Sequence, residues 1–396
     1  MTPGASLGEK ITIWRFHNAL VEIGSGLMVS LFPLFEPLRV GATEVPNRLF
    51  MAPLTRCRAE AEHVPGQLMA EYYAQRATAG LIIAEATMAM EGNSAFYTEP
   101  GIYSAAQVAG WKAVTDAVHG AGGRIFLQIW HGGRACHPFF NNGAQPVAPS
   151  ALAITNDEVH TPEGKKPYAM PRELRDDELP GIVAGFKKAA ENAKAAGFDG
   201  VEVHGANGYL LDEFLRDGSN QRTGAYGGSI ENRARLLLEV IEAVSGVWGA
   251  DRVGLRVSPL NSFNSMSDSD PIGLISWLGA QLNACGLAYW HVMRADFLGQ
   301  QSGDVMSAAR VAYHGVLVGN MGYTPQEAAE AIAEKKLDAV AFGQPFLANP
   351  DLPARVKAGA AINTPDETTF YSPGAKGYTD YPAMKAGSSC DALTDG

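Results

Sequence analysis

The chain has 396 residues, 46% hydrophobic and 18% charged, a balance that excludes disorder over its bulk and suits a globular protein with a large core. Its net charge of −11, from 31 Lys and Arg against 42 Asp and Glu, gives no general attraction for nucleic acid or anionic membranes. Length alone, at roughly 150 residues per domain, predicts two or three domains, although barrels of alternating strands and helices can exceed ~400 residues.

Cys57, Cys136, Cys285 and Cys390 are far apart and form no CxxC pair, so they read as reduced cytoplasmic thiols and not as a zinc site or disulfide framework. No apolar run reaches the ~18 residues of a membrane helix. The nearest, 17–34, is interrupted by His17, Asn18 and Glu22, and Glu22 also spoils a signal peptide. Met28 stands just before Leu31-Phe32-Pro33-Leu34-Phe35, so residues 1–27 read as an extension ahead of a chain that starts at Met28.

Segment 31–47 reads as a short hairpin closing a barrel floor. Eight apolar runs follow, at 48–55, 81–89, 124–131, 200–206, 253–259, 288–294, 315–320 and 339–344. Each is apolar almost throughout instead of alternating, the pattern of strands buried on both faces. Helical periodicity fills the gaps at 65–80, 104–121, 179–197, 232–248 and 324–336. The last opens with Thr324-Pro325-Gln326-Glu327, an N-cap with proline at the first helical position. The pattern predicts an α/β fold, a single (β/α)8 TIM barrel with a hairpin floor. Two linked doubly wound domains would need a central linker, and none is visible. The gap 132–199 starts Gly132-Gly133-Arg134 and holds Pro138, Pro146, Pro149 and Pro162 before its helix. It is too long for an ordinary connection and predicts a lid after strand three.

Active sites in such barrels lie at the C-terminal strand ends. The polar residues there are Thr55 and Arg56, Glu85 and Thr87, Gln128 and His131, His204, Arg256 and Ser258, Asn320 and Gln344. No pair of catalytic carboxylates, HExxH or GxSxG is present, which argues against hydrolysis by paired acids, metal or serine. No GxGxxG follows a strand, so a Rossmann-bound nicotinamide is not expected. Gln128 or Thr55 alone reads most simply as a satisfied structural polar group. Arg256 is harder to place, because a guanidinium in an apolar strand needs a buried partner, either a structural carboxylate or a cofactor oxygen. In His204-Gly205-Ala206-Asn207-Gly208-Tyr209, His and Asn can point donors into one pocket. Tyr209, with an ordinary pKa near ~10, keeps a proton to donate.

The chain resembles the Old Yellow Enzyme family of flavin-dependent ene-reductases over about residues 31–382. The segments that carry the resemblance are NRLFMAPLTR (47–56), EPGIYS (99–104), LQIWHGGR (127–134), VEVHGANGYLLDEFLRDGSNQR (201–222), YGGSIENRARLLLEV (226–240), VGLRVSP (253–259), VGN (318–320), FGQPFLANPDL (342–352) and GYTDYP (377–382). The resemblance implies one non-covalently bound FMN at the barrel mouth of residues 28–396, reduced by NADPH or NADH in a ping-pong cycle. Thr55 would bond the flavin carbonyl near its reactive nitrogen, with the backbone at Pro53, Leu54 and Ala86 lining the ring. Gln128 would bind the pyrimidine edge, Arg256 would face the N1/O2 side, and Gly319, Asn320, Gly343 and Gln344 would lie around the phosphate. His204 and Asn207 would grip a substrate carbonyl oxygen and Tyr209 would protonate the alpha carbon. Phe96 or Tyr97, Trp130 and Tyr371 would shape the pocket. No metal is implied, the partner is a small enone, and the chain would act as a monomer or homo-oligomer. Two residues depart from the pattern: Gln344 stands where members often carry Arg, and Gly224 where Asp is usual. The substrate pair is His/Asn where other members have His/His. The rival readings are a nitroester or nitroaromatic reductase on the same flavin and a flavin-free barrel isomerase or aldolase. The last would need a lysine or paired acids at the strand ends.

Overall fold

The computed structural model describes residues 30–155 and 157–384, so the extension expected at 1–27 and Cys390 lie outside the described residues. Eight parallel strands close on themselves: β1 Leu49–Met51, β2 Ile82–Met88, β3 Ile125–Trp130, β4 Gly200–Gly205, β5 Val253–Val257, β6 Tyr289–Met293, β7 Leu317–Asn320 and β8 Ala339–Phe342, which pairs back to β1. Each predicted apolar run supplies one of them. Every position in the eight strands is buried, the condition that a run without alternation implies.

Outside the barrel lie α1 Gln67–Ala74, α2 Ala105–Gly120, α3 Leu179–Ala195, α4 Ile230–Trp248, α5 Pro271–Leu282, α6 Val305–Ala312, α7 Pro325–Ala333 and α8 Leu352–Ala358. At the start of α7, Glu327 N–H donates to Thr324 Oγ1 (3.1 Å) and Thr324 N–H donates to Glu327 Oε2 (2.8 Å), with Pro325 in the first turn. Helices α5, α6 and α8 add to those the periodicity predicts. The sequence of α5, PIGLISWLGAQL, is apolar around so much of its circumference that no polar face marks it.

Strand alternation sorts the side chains. Val201 and Val203 join the large core between barrel and helices, as do Leu127, Ile129, Leu255, Trp290 and Val292. The interleaved residues face inward. At the bottom, Phe50, Leu81, Phe126, Tyr289, Val318 and Ala339 pack with Val40 and Val45. These two valines come from the hairpin Leu38–Val40/Thr43–Val45, which is tied to the strand β5 entrance by Ala42 N–H donating to Asp251 O (2.9 Å). The hairpin therefore closes the floor. At the other end, residues 132–178 add a parallel ladder of Val147–Ala148 with Arg172–Glu173 and an antiparallel hairpin Glu158–Thr161/Gly164–Pro167. This excursion contributes Ile154 and Tyr168 to a cluster with Trp130 and Tyr209 at the mouth.

Phe126 is fully buried in the floor layer, its ring 5.9 Å from that of Tyr289. Phe126→Ala is expected to lower stability by ~3–5 kcal/mol through lost contacts and a residual cavity, measured by denaturant unfolding.

Candidate active site

Above the apolar floor the inward residues turn polar. Register sets His204 beside Arg256 and Arg256 beside His291 across β4, β5 and β6, while Gln128 of β3 sits beside Glu202. Glu202 is fully buried and accepts a hydrogen bond from Gln128 Nε2 (2.7 Å), and its other oxygen meets His291 Nδ1 (2.9 Å). With Nε2 so engaged, the carbonyl oxygen of Gln128 is the amide terminus turned away from Glu202.

Arg256 makes no ion-pair contact among the described residues. Its Nη2 donates to Asn320 Oδ1 (2.9 Å) and lies 3.4 Å from Met293 Sδ, and its buried Nε has no acceptor. Burial lowers its pKa, and the charge of Glu202 acts the other way through space. Of the two partners open to Arg256, a carboxylate is therefore near but not in contact, and a donor remains available to a bound acceptor. The buried Nδ1 of His204 and Nε1 of Trp130 are likewise without partners. Among the described residues, no group of three or more His, Cys, Asp or Glu side chains could hold a metal ion.

The loop after β4 is built by its own sequence. Asn207 and Gly208 both take left-handed backbone angles, φ +60° and +71°. Asn tolerates this region and Gly favours it. At position 208 any Cβ would come within 2.7 Å of Asn264 Cβ and Met266 Cγ, so glycine is required there. The reversal brings Tyr209 back over His204, ring centroids 5.4 Å apart. Burial, with the charge of Arg256 next, pushes the His204 pKa well below the usual histidine value, so the ring is neutral. Burial pushes Tyr209 well above the usual tyrosine value, and the neighbouring Tyr168 and Tyr371 add to that. Its hydroxyl makes no hydrogen bond to a described residue, so it is a protonated donor facing the pocket. The Asn207 side chain is held by Asn261 Nδ2, which donates to its Oδ1 (2.9 Å).

A cavity of about 560 Å³ opens at the C-terminal ends of β1, β7 and β8. Leu54, Thr55, Arg256, Asn320, Gly343, Gln344 and Tyr371 line it. An unbroken series of ring contacts links it to the His204–Tyr209 pair: Tyr209 to Trp130 (5.0 Å, edge-on), Trp130 to Phe96 (6.2 Å) and Phe96 to Tyr371 (6.0 Å, stacked). Phe96 belongs to this series, whereas Tyr97 packs on Phe140 (6.5 Å) and is 62% exposed. Ala86 packs in the Trp130–Tyr209 cluster, and Pro53 is buried beside the wall. Gly319 faces outward, since a Cβ there would meet Leu337 Cδ1 at 2.6 Å. Glu85 also points away from the interior: it accepts from Arg56 N–H (3.0 Å) and Tyr73 hydroxyl (3.1 Å), and burial raises it to about 7.

Some wall residues carry no sequence signal. Phe297, Tyr323 and Phe370 reach the cavity from loops without periodicity. The segment bearing Phe370 and Tyr371 is held by two buried arginines. Arg56 donates to Phe370 O (3.0 Å) and Gly377 O (2.8 Å), and Arg58 donates to Phe370 O (2.8 Å) and Thr369 O (2.8 Å). Arg56, read as a strand-end cation, is thus committed to backbone carbonyls. At Gly224 a Cβ would lie 3.9 Å from Asp176 Oδ2, a carboxylate that already pairs with Arg222, so an aspartate there would bring a second negative charge.

Buried donors lacking acceptors, beside an apolar wall and a chain of aromatic rings, suit a planar ligand rich in acceptor atoms; the class so defined is a barrel oxidoreductase of the flavin-binding kind. The chain belongs to the NADH:flavin oxidoreductase / NADH oxidase family, whose pattern matches residues 33–363. It is 51% identical over 360 residues to a probable flavin mononucleotide-dependent alkene reductase of Leishmania infantum, covering 90% of this chain and 98% of the relative. It is 43% identical over 361 residues to 12-oxophytodienoate reductase 1 of Oryza sativa subsp. japonica, covering 89% and 93%. The old yellow enzyme of Trypanosoma cruzi superposes with a TM-score of 0.87 at 44% identity, covering 90% of this chain and 100% of that one. Morphinone reductase in complex with tetrahydroNAD superposes with a TM-score of 0.86 at 46% identity, covering 90% and 99%.

Because Arg56 ties the Tyr371 segment to the barrel with buried charged hydrogen bonds, Arg56→Met is expected to loosen it. Hydrogen exchange of the 369–378 amides should accelerate by ~10-fold or more, with the β4 and β5 amides unchanged.

Proposed function

We propose that the protein is an FMN-dependent ene-reductase that uses NADPH or NADH to reduce the C=C bond of α,β-unsaturated carbonyl compounds. The observation that carries this reading is the pair of buried groups at one barrel mouth, Arg256 Nε and His204 Nδ1, that have no hydrogen-bond partner among the described residues. The names of the alkene reductase, the 12-oxophytodienoate reductase and morphinone reductase agree with it. When bound, FMN supplies a centre that takes hydride from a reduced nicotinamide and hands it to the β-carbon of an activated alkene.

The residues divide the remaining work. Arg256 would hold negative charge on the N1/O2 side, and Gln128 would offer its carbonyl oxygen to the pyrimidine edge. Thr55 would bond the carbonyl near the reactive nitrogen, and Pro53, Leu54 and Ala86 would line the ring. Gly319, Asn320, Gly343 and Gln344 would border the phosphate. His204 and Asn207 donate hydrogen bonds to the substrate oxygen and stabilise the charge that develops on it as hydride arrives. Tyr209 gives its proton to the alpha carbon from the opposite face. Phe96, Trp130 and Tyr371 hold the enone flat between these groups and exclude water. The barrel from residue 28 onward would act as one flavin-binding unit. Among the described residues no helix is long and apolar enough to cross a membrane. The free thiols of Cys57, Cys136 and Cys285 support a reducing, cytoplasmic setting.

The test is purified protein carrying a flavin absorbance band, with enone-dependent oxidation of NADPH and loss of the C=C bond. Colourless protein, or nitrite release without alkene loss, overturns it. Tyr209→Phe is expected to slow enone reduction by ~100-fold or more while flavin reduction by NADPH changes less than ~2-fold, as stopped-flow half-reactions would resolve.

The ionisation directions give a pH signature. His204 titrates well below its ordinary value and is already neutral near pH 6, while Tyr209 titrates well above its ordinary value and keeps its proton past pH 8. The kcat/KM profile for a non-ionising enone should therefore show no ionisation from either residue between about pH 6 and about pH 8. An inflection in that range that disappears in Tyr209→Phe would contradict the assignment.

A further inference from the structure

We infer that Asn261 is a positioning residue that fixes the substrate-oxygen site as a hydrogen-bond donor by setting the direction of the Asn207 amide. The inference rests on Asn207 gripping the substrate oxygen and deepens that reading.

The direction follows from which atoms can only donate. The backbone N–H groups of Phe263 and Phe297 both reach Asn261 Oδ1, at 3.3 Å each. That atom is therefore the carbonyl oxygen, and the other terminus of Asn261 is its NH2 group. This NH2 lies 2.9 Å from Asn207 Oδ1, which must accept. The one amide terminus left to Asn207 is Nδ2, which can only donate and has no partner among the described residues. The Asn207 backbone is pinned as well: its N–H donates to Ser258 Oγ (2.7 Å), and its carbonyl accepts from Asn264 Nδ2 (3.0 Å). Turning the amide over would set two NH2 groups against each other and strand a buried donor. Asn261 is fully buried, so water cannot take the place of the lost partner.

The Phe297 end of this relay is itself held. Burial would raise the Asp296 carboxyl, but hydrogen bonds from Ser262 N–H (2.8 Å), the Ser262 hydroxyl (2.7 Å), Leu298 N–H (3.1 Å) and Gln301 N–H (3.1 Å) outweigh it and hold it at about 2. The segment after β6 that walls the cavity thus sets the polarity of the pocket. The site then selects heads with an acceptor oxygen, such as a carbonyl, nitro or phenolate group, and rejects heads that only donate, such as ammonium.

The test uses the flavin-loaded enzyme and 4-hydroxybenzaldehyde, above the pH at which its phenol ionises, with Kd read by calorimetry. Asn261→Asp keeps an oxygen for the Phe263 and Phe297 N–H groups but cannot donate to Asn207. The expected result is a Kd raised ~10-fold or more, with flavin content unchanged. In the Asn207→Ala background the same substitution should shift Kd by less than ~2-fold. Asn261→Ala, which frees the amide, should show a smaller rise that also vanishes in that background, and it serves if the aspartate variant does not fold. An unchanged Kd for Asn261→Asp overturns the relay. So does an equal rise in both backgrounds, because plain repulsion of the phenolate by the new carboxylate would persist without Asn207. If Asn207→Ala alone leaves Kd unchanged, the failure lies in the oxygen-gripping role of Asn207, a result distinct from the other two.

Discussion

The burial of Arg256 with only neutral groups among the described residues in contact, the Asn320 amide and the Met293 thioether, is the constraint on which the site depends. An isolated guanidinium in a protein interior is costly unless compensated and hydrogen-bonded. Here compensation is divided. Glu202 acts through space, while Asn320 Oδ1 takes one hydrogen bond and Asn320 Nδ2 is itself tied to Ala341 O at 2.7 Å. The Nε stays unpaired among the described residues. A protein that needed only stability would gain by closing this arrangement with a direct carboxylate contact. Keeping the carboxylate on Gln128 and His291 instead leaves the positive charge directed to the barrel mouth.

Strand alternation is what allows this. Because β4 is buried on both faces, Glu202 and His204 share the interior while Val201 and Val203 serve the helix layer. The same rule puts Arg256 between Leu255 and Val257, and His291 between Trp290 and Val292. A one-residue slip in any of these strands would bury a charge among the helices and empty the site, so register is strongly specified. The fold and the site are in this sense one solution: the apolar run that makes a strand parallel and buried also isolates the polar residue that must point inward.

That logic sets how much could be read in advance. The eight strands were legible because parallel barrel strands are continuous apolar runs, and the inward residues Gln128, His204 and Arg256 stood out for the same reason, whereas Glu202 and His291, whose role is to bond Gln128 and each other inside the barrel, did not. The donors of HGANGY were legible as a polar cluster just after a buried strand, but the reversal at Asn207 and Gly208 that folds Tyr209 back over His204 came only with the structure. What escaped is what depends on distant backbone. Arg56 and Arg58 bind carbonyls more than 300 residues away, and a carbonyl has no sequence signature. The amide of Asn261 gains meaning only once Phe263 and Phe297 converge on it, and Phe297 comes from a loop with no period. Helix α5 was hidden by an excess of apolar residues, and the choice between Phe96 and Tyr97 required knowing which ring faces Trp130.

The exposed Gln344 bears on the net charge of −11. Arg256 and Arg56 are the arginines on the cavity wall, and no lysine lies on it. Arg56 is spent on the C-terminal segment, and Arg256 sits deep beside Asn320. If FMN occupies this mouth as proposed, its phosphate meets the β7 and β8 ends without a free side-chain cation. The backbone N–H groups of Gly322, Gly343 and Gln344 make no hydrogen bond to a described residue and are among the donors that remain. Such donors bind an anion through fixed geometry and not through a mobile charge. They do not draw the phosphate from a distance, so in an acidic protein association slows more than the bound state weakens. On the proposed reading the departure at residue 344 would act on how the cofactor is acquired and not on His204, Asn207 and Tyr209, which lie off this stretch of the cavity wall.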